Sequence, residues 1–182
     1  ELGCDGYGFD LVFGSAPDAA AVHIATRYNG LYMVYNVAAA FFAAHELGVD
    51  TARLQPTLDA YVPAGGRMGR WNIAGRTVEA NLAKNPVGFD RQIQSSKTAG
   101  GRLCAFFLND NDADGHDVSW IYDVDFERIA DTAGLVAFAG GTRAHDMQVR
   151  LKYAGIDAAI ISNIEQAIGA VADEAADDTF YA

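Results

Sequence analysis

The 182-residue sequence is poor in cysteine and in basic residues, and each shortage excludes a class of protein. Its two cysteines, Cys4 and Cys104, lie far apart, which argues against a disulfide framework and against a zinc site. Cys104 stands in the apolar segment 103–108, where a free thiol is predicted to be buried. Thirteen Lys and Arg against 24 Asp and Glu give a net charge of −11. Because such a surface repels phosphate backbones and anionic lipid headgroups, we expect no nucleic-acid partner.

Long apolar runs are also lacking, so we expect a chain that does not cross a membrane. The longest run, residues 37–44, is interrupted by His45 and Glu46 and falls short of the roughly 18 residues that a membrane-spanning helix needs. We also expect no signal peptide ahead of it. The chain begins at Glu1 without a methionine and stops abruptly at Ala182, which indicates a segment of a longer protein.

Apolar residues make up 51% of the chain, enough for one core or two small ones. From about residue 77, short β-rich runs alternate with helical stretches, as a parallel sheet covered by helices requires. The predicted fold class is therefore α/β, a Rossmann-like parallel sheet with helices on both faces. Functional residues should collect at the carboxyl ends of its strands. The predicted strands are 77–83, 103–108, 135–139, 158–162 and 179–181, and the predicted helices are 88–96, 126–132, 143–154 and 164–175.

The first 48 residues show a different pattern. Short strand-like runs near 9–13 and 22–26 precede an Ala-rich helix over 34–47, which Gly48 is expected to end. Residues 1–48 cannot bury much surface alone, so we interpret them as the tail of a preceding domain.

A glycine-rich link separates this tail from the Rossmann-like part. Residues 49–70 contain a short helix and then Gly65 and Gly66, which are typical of a hinge. The Rossmann-like domain is predicted to take residues 71–182.

Acidic residues are concentrated after the strand at 103–108. Between Asp110 and Glu127 there are seven acidic residues in 18 positions and no Lys or Arg. Because their mutual repulsion is unfavourable, a structural or chemical demand should hold them there. One interpretation is a solvated acidic loop whose aromatic residues pack under it.

Calcium is a second interpretation. Asp110, Asp112, Asp114 and Gly115 match the opening of a D-x-D-x-D-G cation loop. The remainder does not follow, since the twelfth position, where a bidentate Glu should close the shell, is Ile121. The preceding element is also a strand instead of a helix.

The third interpretation depends on the aromatic run Trp120-Ile121-Tyr122, which should fold the loop back and hold particular carboxylates in fixed directions. A fixed carboxylate can orient a histidine as the acid of a nucleophile, base and acid triad. The chain offers no convincing nucleophile, because Cys104 is predicted to be buried. If Asp117 completes a triad, the other members come from another chain. The four histidines are scattered, at His23, His45, His116 and His145.

Several blocks of the sequence resemble a known family. They are GLYMVYNVAAA at 30–40, GRM at 66–68, LAKNPVGF at 82–89, LNDN at 108–111, DVSWIYD at 117–123, GTR at 141–143 and RLK at 150–152. The blocks from 82 onward look like the carboxyl-terminal domain of the MurT-type subunit of lipid II isoglutaminyl synthase. The earlier two resemble the last helix of the Mur ligase central domain and the hinge after it.

The resemblance implies an ATP-dependent amidation in cell-wall synthesis, in the cytoplasm at the inner face of the plasma membrane. D-glutamate in the stem peptide of lipid II becomes D-isoglutamine, with ammonia released from glutamine by a partner subunit. That partner is a class I glutamine amidotransferase with a Cys/His pair. Asp117 is then expected to lie against the partner's histidine, and Asp114 and Asp123 are the fallback candidates.

The family's cofactors, by the same resemblance, are ATP and Mg. Asn36 would face the adenine, Arg67 would approach the nucleotide, and Lys84 and Asn85 would line the closed cleft. Alternatively, Asn36 is a helix cap and Arg67 and Lys84 are solvated charges. The family's glycine-rich phosphate loop and four-cysteine zinc ribbon are absent from these residues, so the chain alone is expected to be inactive.

Other functions remain open on the sequence. One is the ATP-lid domain of an ordinary Mur-type amino-acid ligase, and another is a calcium-stabilised binding module or a purely structural acidic domain. The acidic loop discriminates, because a self-sufficient ligase has no need of a surface that completes another protein's triad.

Overall fold

A computed structural model describes residues 7–13, 21–26, 31–61, 69–171 and 178–182. The chain divides into two units, Glu1–Val62 and Pro63–Ala182, and each buries its own set of apolar side chains. Gly65, Gly66 and Arg67 lie outside the described residues, so the predicted hinge stays a prediction.

The first unit is a β-hairpin packed against helices. Strands β1 (Tyr7–Val12) and β2 (Ala21–Thr26) pair antiparallel, and helix α1 (Leu31–Glu46) follows. After α1, Gly48 has φ of +82°, a left-handed conformation that glycine adopts without strain, as expected for a helix stop. Helix α2 (Leu54–Ala60) completes the unit. The core consists of Leu11, Ile24, Val37, Phe41, Leu54 and Leu58.

Helix α2 belongs to this first core. Leu54 and Leu58 are buried there, although the sequence placed both in the linking segment 49–70. The short helix expected in that segment is present, and it packs as part of the first unit.

The second unit contains six strands and four helices among its described residues. The alternating pattern predicted from about residue 77 is confirmed, with boundaries that shift by a few residues. The strands are β3 (Gly69–Ile73), β4 (Arg76–Ala80), β5 (Leu103–Phe107), β6 (Val136–Gly140), β7 (Ala158–Ile160) and β8 (Phe180–Tyr181), and the helices are α3 (Pro86–Thr98), α4 (Glu127–Ala130), α5 (Ala144–Tyr153) and α6 (Ile164–Ala170).

These strands form one sheet in the order β3-β4-β8-β5-β6-β7. All neighbouring pairs are parallel except β3 and β4, which pair antiparallel at one edge. The fold is the predicted α/β sheet with helices on both faces.

Strand β6 shows how the two faces are separated. Ala137 and Ala139 belong to a core that also holds residues of α3, α4 and α5, whereas Phe138 belongs to a second core with residues of α6. This alternation is the period of two that a strand buried on both faces requires. Full burial of a side chain such as Phe126 or Phe180 stabilises the fold by about 1.5–3 kcal/mol.

Strand β3 was missed by the sequence analysis, which predicted no strand between the helix ending at residue 47 and residue 77. It joins β4 through a two-residue turn in which Ala74 has φ of +50° and Gly75 of +83°. Positive φ at both central positions is the pattern of a tight hairpin turn. The Ala74-Gly75 pair was the available signal.

The described helices include none with the length and apolar character needed to cross a bilayer.

Candidate functional site

The acidic loop, residues 109–127, leaves the carboxyl end of β5. Strand β5 lies between β8 and β6 in the interior of the sheet. In open α/β sheets, binding sites form outside the carboxyl ends of the strands. The loop therefore stands where functional residues were predicted to collect.

The start of the loop is fastened to the turn that follows β6. The Thr142 hydroxyl donates to Asp110 Oδ1 at 2.7 Å and accepts from the Asp110 N–H at 3.1 Å. The Thr142 N–H donates to Asn109 Oδ1 at 3.0 Å, and the Arg143 N–H donates to the Leu108 carbonyl at 2.9 Å. These bonds join two segments that are more than 30 residues apart in the chain.

The carboxylates of the D-x-D-x-D motif face different partners. Asp110 is engaged by the turn after β6, Asp112 Oδ1 lies 3.4 Å from His116 Nε2, and Asp114 accepts from Asn111 Nδ2 at 3.0 Å. Within the described ranges, which include the whole acidic loop, no group of three or more His, Cys, Asp and Glu residues is arranged to hold a metal ion. The calcium interpretation therefore has no set of converging ligands to support it.

The return half of the loop, residues 118–127, is anchored by apolar side chains. Ile121, in the 3₁₀ helix Ser119–Asp123, is fully buried, and the Trp120 ring lies 6.1 Å from that of Phe89. Tyr122 is 54% exposed, so the expectation that all three aromatic-run residues pack under the loop is wrong for it. With three residues per turn, consecutive side chains of a 3₁₀ helix point in different directions and cannot all face the core.

Asp117 lies at the bend between the two halves of the loop. Its Oδ1 accepts the Ser119 N–H at 2.8 Å, so the carboxylate is bonded to the first residue of the 3₁₀ helix that follows. Hydrogen bonds from the hydroxyl and the backbone N–H of Ser119 hold the pKa of the Asp117 carboxyl below its usual range. Asp117 is exposed. It is thus an anion with a restrained orientation that is accessible from outside.

The two fallback carboxylates are held differently. Asp114 is exposed and accepts its bond from Asn111 within the D-x-D-x-D segment. Asp123 is exposed at the end of the 3₁₀ helix. Asp117, in contrast, is bonded to the first N–H of that helix. The assignment of Asp117 as the functional carboxylate, with the other two as alternatives, stays a prediction.

The residues proposed for nucleotide binding are dispersed over both units. Asn36 is exposed in the interior of α1, so its interpretation as a helix cap is wrong. Lys84 is exposed and forms no ion pair with any described residue. The Asn85 side chain caps α3, because its Oδ1 accepts the Gly88 N–H at 2.8 Å. Arg67 lies outside the described residues.

A cleft of about 670 Å³ lies beside the carboxyl ends of β4, β8 and β5, and its lining does not include Lys84 or Asn85, the residues expected to line the closed cleft. Its lining residues come from separate elements, so no single sequence motif predicts the cleft. A hydrogen bond of 2.7 Å from Asn81 Nδ2 to Gln92 Oε1 joins two lining residues. Burial raises the pKa of the Cys104 thiol, which also lines the cleft, to about 11, so this cysteine is protonated and no nucleophile. Ile73, Leu82, Phe89, Phe106, Phe107 and Ile164 form much of the apolar lining.

Arg150 on α5 was also missed as a site residue. It is only 5% exposed and donates to the Ile121 carbonyl and to the Glu127 carboxylate. Its spacing of three from the buried Met147 was the signal, because it places the arginine on the buried face of an amphipathic helix.

Comparisons with known sequences agree on one family. The family model described as MurT ligase C-terminal matches residues 82–182, more than half of the chain. The MurT subunit of lipid II isoglutaminyl synthase (glutamine-hydrolyzing) from Staphylococcus aureus (strain COL) is 35% identical over 136 residues, 74% of this chain and 31% of that protein. The subunit of the same name from Streptococcus pneumoniae (strain ATCC BAA-255 / R6) is 36% identical over 152 residues, 81% of this chain and 34% of that protein. The chain thus spans about one third of the length of these relatives.

Solved structures with a similar fold include Mur ligases. MurF from Acinetobacter baumannii matches with a TM-score of 0.67 at 18% identity, over 100% of this chain and 40% of that one. The UDP-N-acetylmuramate-alanine ligase MurC from Thermotoga maritima matches with a TM-score of 0.62 at 13% identity, over 90% of this chain and 38% of that one. At these identities the likeness shows a Mur ligase-like fold.

Proposed function

The chain belongs to the MurT ligase C-terminal family, and from that premise we propose that it is part of the ligase subunit of a lipid II isoglutaminyl synthase. The complete enzyme would use ATP to convert D-glutamate of the lipid II stem peptide to D-isoglutamine. Ammonia for this amidation would come from glutamine, hydrolysed by a class I glutamine amidotransferase subunit. The reaction would take place in the cytoplasm at the inner face of the plasma membrane.

The role of this chain within the complex is to dock the glutaminase and to complete its active site with Asp117. The observation that carries this proposal is the state of Asp117, a carboxylate that is exposed, kept ionised and restrained by Ser119. Such a group can accept a hydrogen bond from the N–H of a partner's histidine. It then fixes the tautomer of the imidazole and stabilises the imidazolium that forms when the histidine takes the proton of the cysteine thiol.

We further propose that Lys84, Asn85, Asn36 and Arg67 contribute to ATP binding in the full-length subunit. The side chain of Lys84 is exposed without an ion pair among the described residues, which leaves its ammonium available to a phosphate. Mg would accompany the nucleotide and neutralise its phosphate charge. The phosphate loop and the zinc ribbon of the family would lie elsewhere in the subunit, so this chain alone would not amidate.

The fold likeness to MurF and MurC favours a second candidate, the ATP-lid domain of an ordinary Mur-type amino-acid ligase. Such a ligase needs no glutaminase and no presented carboxylate. The two candidates therefore make different predictions. For the amidating subunit, glutamine and ammonium both support the same reaction, and Asp117 matters only with glutamine. For the ordinary ligase, neither nitrogen source is used and Asp117 does not matter.

The experiment that tests the proposal compares two nitrogen sources in the full-length complex. Asp117→Asn keeps the shape of the side chain and removes its charge. With glutamine as the source, amidation of lipid II should fall strongly, because in serine proteases the loss of the triad acid lowers turnover by about four orders of magnitude. With excess ammonium, which bypasses the glutaminase, the variant should amidate at the wild-type rate.

Asp114→Asn and Asp123→Asn are the matched controls, since both remove an exposed carboxylate from the same loop. They should keep glutamine-dependent amidation. If one of them loses it while Asp117→Asn retains it, the mechanism stands with a different residue. If none of the three matters, the loop is structural and the proposal fails.

A further inference from the structure

Arg150 is a charged residue in an apolar core. It projects from α5, is 5% exposed, and shares its surroundings with the buried side chains of Met147 and Leu151 on the same helix. Arginine is almost never buried unless its charge is paired and its donors are satisfied. A core built only for stability could use an apolar residue of similar volume here. The question is therefore what its partners have in common.

All partners of Arg150 outside its own helix belong to the return half of the acidic loop. Nε donates to the Ile121 carbonyl at 3.2 Å, and Nη2 donates to the Val124 carbonyl at 2.5 Å. Nη1 and Nη2 donate to the two carboxylate oxygens of Glu127 at 3.0 and 2.8 Å. The guanidinium also lies over the Phe126 ring, 5.2 Å from its centroid. One side chain thus fixes both the 3₁₀ helix and the segment that follows it.

A short, rigid path leads from these contacts to Asp117. Ile121 is fully buried, and its N–H donates to the Val118 carbonyl at 3.2 Å. Ser119, in the first turn of the same helix, donates its N–H to Asp117 Oδ1. The direction of the carboxylate is therefore determined by the orientation of the 3₁₀ helix, which Arg150 holds from its other end.

We propose that Arg150 is a positioning residue for Asp117, holding the 3₁₀ helix so that the carboxylate is oriented before the partner docks. This inference rests on the proposed function. Its physical basis is pre-organisation, since a misplacement of about 1 Å can lower turnover by about a hundredfold. In this role Arg150 touches neither glutamine nor the partner's reacting atoms and acts through the helix whose first N–H is bonded to Asp117.

The test uses the full-length subunit in complex with its glutaminase. Arg150→Met keeps the length of the side chain and removes every donor, and it should lower kcat for glutamine hydrolysis by about tenfold or more while KM for glutamine and ammonium-dependent amidation stay unchanged. Arg150→Lys keeps the charge but loses the planar guanidinium with its several donors, so its kcat should lie between those of the wild type and Arg150→Met. In an Asp117→Asn background, Arg150→Met should lower kcat no further, because both changes remove the same interaction.

Met147→Ala is the control for lost stability. It removes a fully buried side chain from the same helix and core without removing a hydrogen bond to the loop. Where both variants are folded, it should keep the wild-type kcat. If Arg150→Met does not fold, the test uses Arg150→Lys instead. That variant should then show a reduced kcat and faster amide hydrogen exchange over residues 118–124 than the wild type.

Three results would overturn the inference. The first is a folded Arg150→Met enzyme with wild-type kcat. The second is a fall in kcat on adding Arg150→Met to Asp117→Asn that equals the fall it causes in the wild-type background. The third, where Arg150→Met is unfolded, is wild-type kcat in Arg150→Lys. A complex in which the single variant Asp117→Asn keeps full glutaminase activity would instead refute the assignment of Asp117 in the proposed function. The two failures are therefore distinguishable.

Discussion

At the scale of single residues, the proposed function depends most directly on the pairing of Asp117 with Ser119. An exposed aspartate ordinarily samples several side-chain rotamers, but a bond to a backbone N–H two residues on restrains it. The hydroxyl and N–H of Ser119 also favour the charged form, which lowers the pKa of Asp117. Asp117 therefore stays ionised to lower pH than an ordinary aspartate. The stability that its ionisation contributes is present above the ordinary pKa and is lost as the pH falls through the folded one.

Ser119→Ala should raise the pKa of Asp117 toward the ordinary value of about 3.9, because the hydroxyl bond is lost and only the backbone bond remains. Ser119→Thr keeps a hydroxyl and should keep the pKa low. Carbon-13 NMR titration of the Asp117 carboxyl measures both variants. An unchanged midpoint in Ser119→Ala would show that the hydroxyl does not stabilise the anion.

At the scale of secondary-structure elements, the turn between β6 and α5 decides how the acidic loop begins. Gly141 has φ of +89°, and a Cβ added there would lie 2.3 Å from the Leu108 carbonyl oxygen and 2.7 Å from Asn109 Oδ1. The absence of a side chain lets this turn approach the start of the loop closely enough for the Thr142 bonds to form. Gly155, after α5, has a similar φ of +81° but nothing within 4 Å of the same position.

Gly141→Ala and Gly155→Ala form a matched pair for this turn. Both impose a left-handed conformation on alanine, which lowers the free energy of unfolding by about 1–2 kcal/mol. Only Gly141→Ala adds a clash with the backbone, so it should lower the free energy of unfolding clearly more than Gly155→Ala does. Urea denaturation of the two variants gives the comparison, and equal losses would contradict the close approach.

The elements differ in how far the sequence reveals them. Strand β5 is an unbroken run of apolar residues in the interior of the sheet, with Leu103, Cys104 and Ala105 buried, so its pattern was sufficient. Strand β3 lies at the edge, where Trp71 is 46% exposed and no alternation is required, so nothing but its turn marked it. The acidic character of the site was visible as composition. The bonds from Thr142 and Arg150 to the loop were not, because they join residues 23 to 33 positions apart, a pairing that only the sheet topology determines.

At the scale of the whole molecule, the residues proposed to bind ATP are dispersed over both units of the chain. Asn36 and Lys84 belong to different units, and no glycine-rich phosphate loop with a Gly-Lys-Thr core occurs in the sequence. The net charge of −11 also opposes the approach of a polyphosphate. Tight ATP binding should therefore depend on the rest of the full-length subunit.

Isothermal titration of the 182-residue chain with magnesium ATP should show binding too weak to saturate at micromolar concentrations, because the phosphate-gripping loop is missing. In the full-length enzyme, Lys84→Ala should raise KM for ATP, and Lys152→Ala, which removes an exposed lysine of α5, should not. Micromolar affinity of the isolated chain would refute the first expectation. An unchanged KM in Lys84→Ala would remove that residue from the ATP site.

The central claim is that Asp117 is the acid that faces the catalytic histidine of a glutaminase partner. The pKa of that histidine, followed by NMR with isotope-labelled histidine in the partner, tests it most directly. A nearby carboxylate favours the protonated imidazole, so docking of the wild-type subunit should raise the pKa of the histidine, and docking of Asp117→Asn should leave it near its value in the free glutaminase. The same rise with both subunits, or no rise with either, would contradict the account.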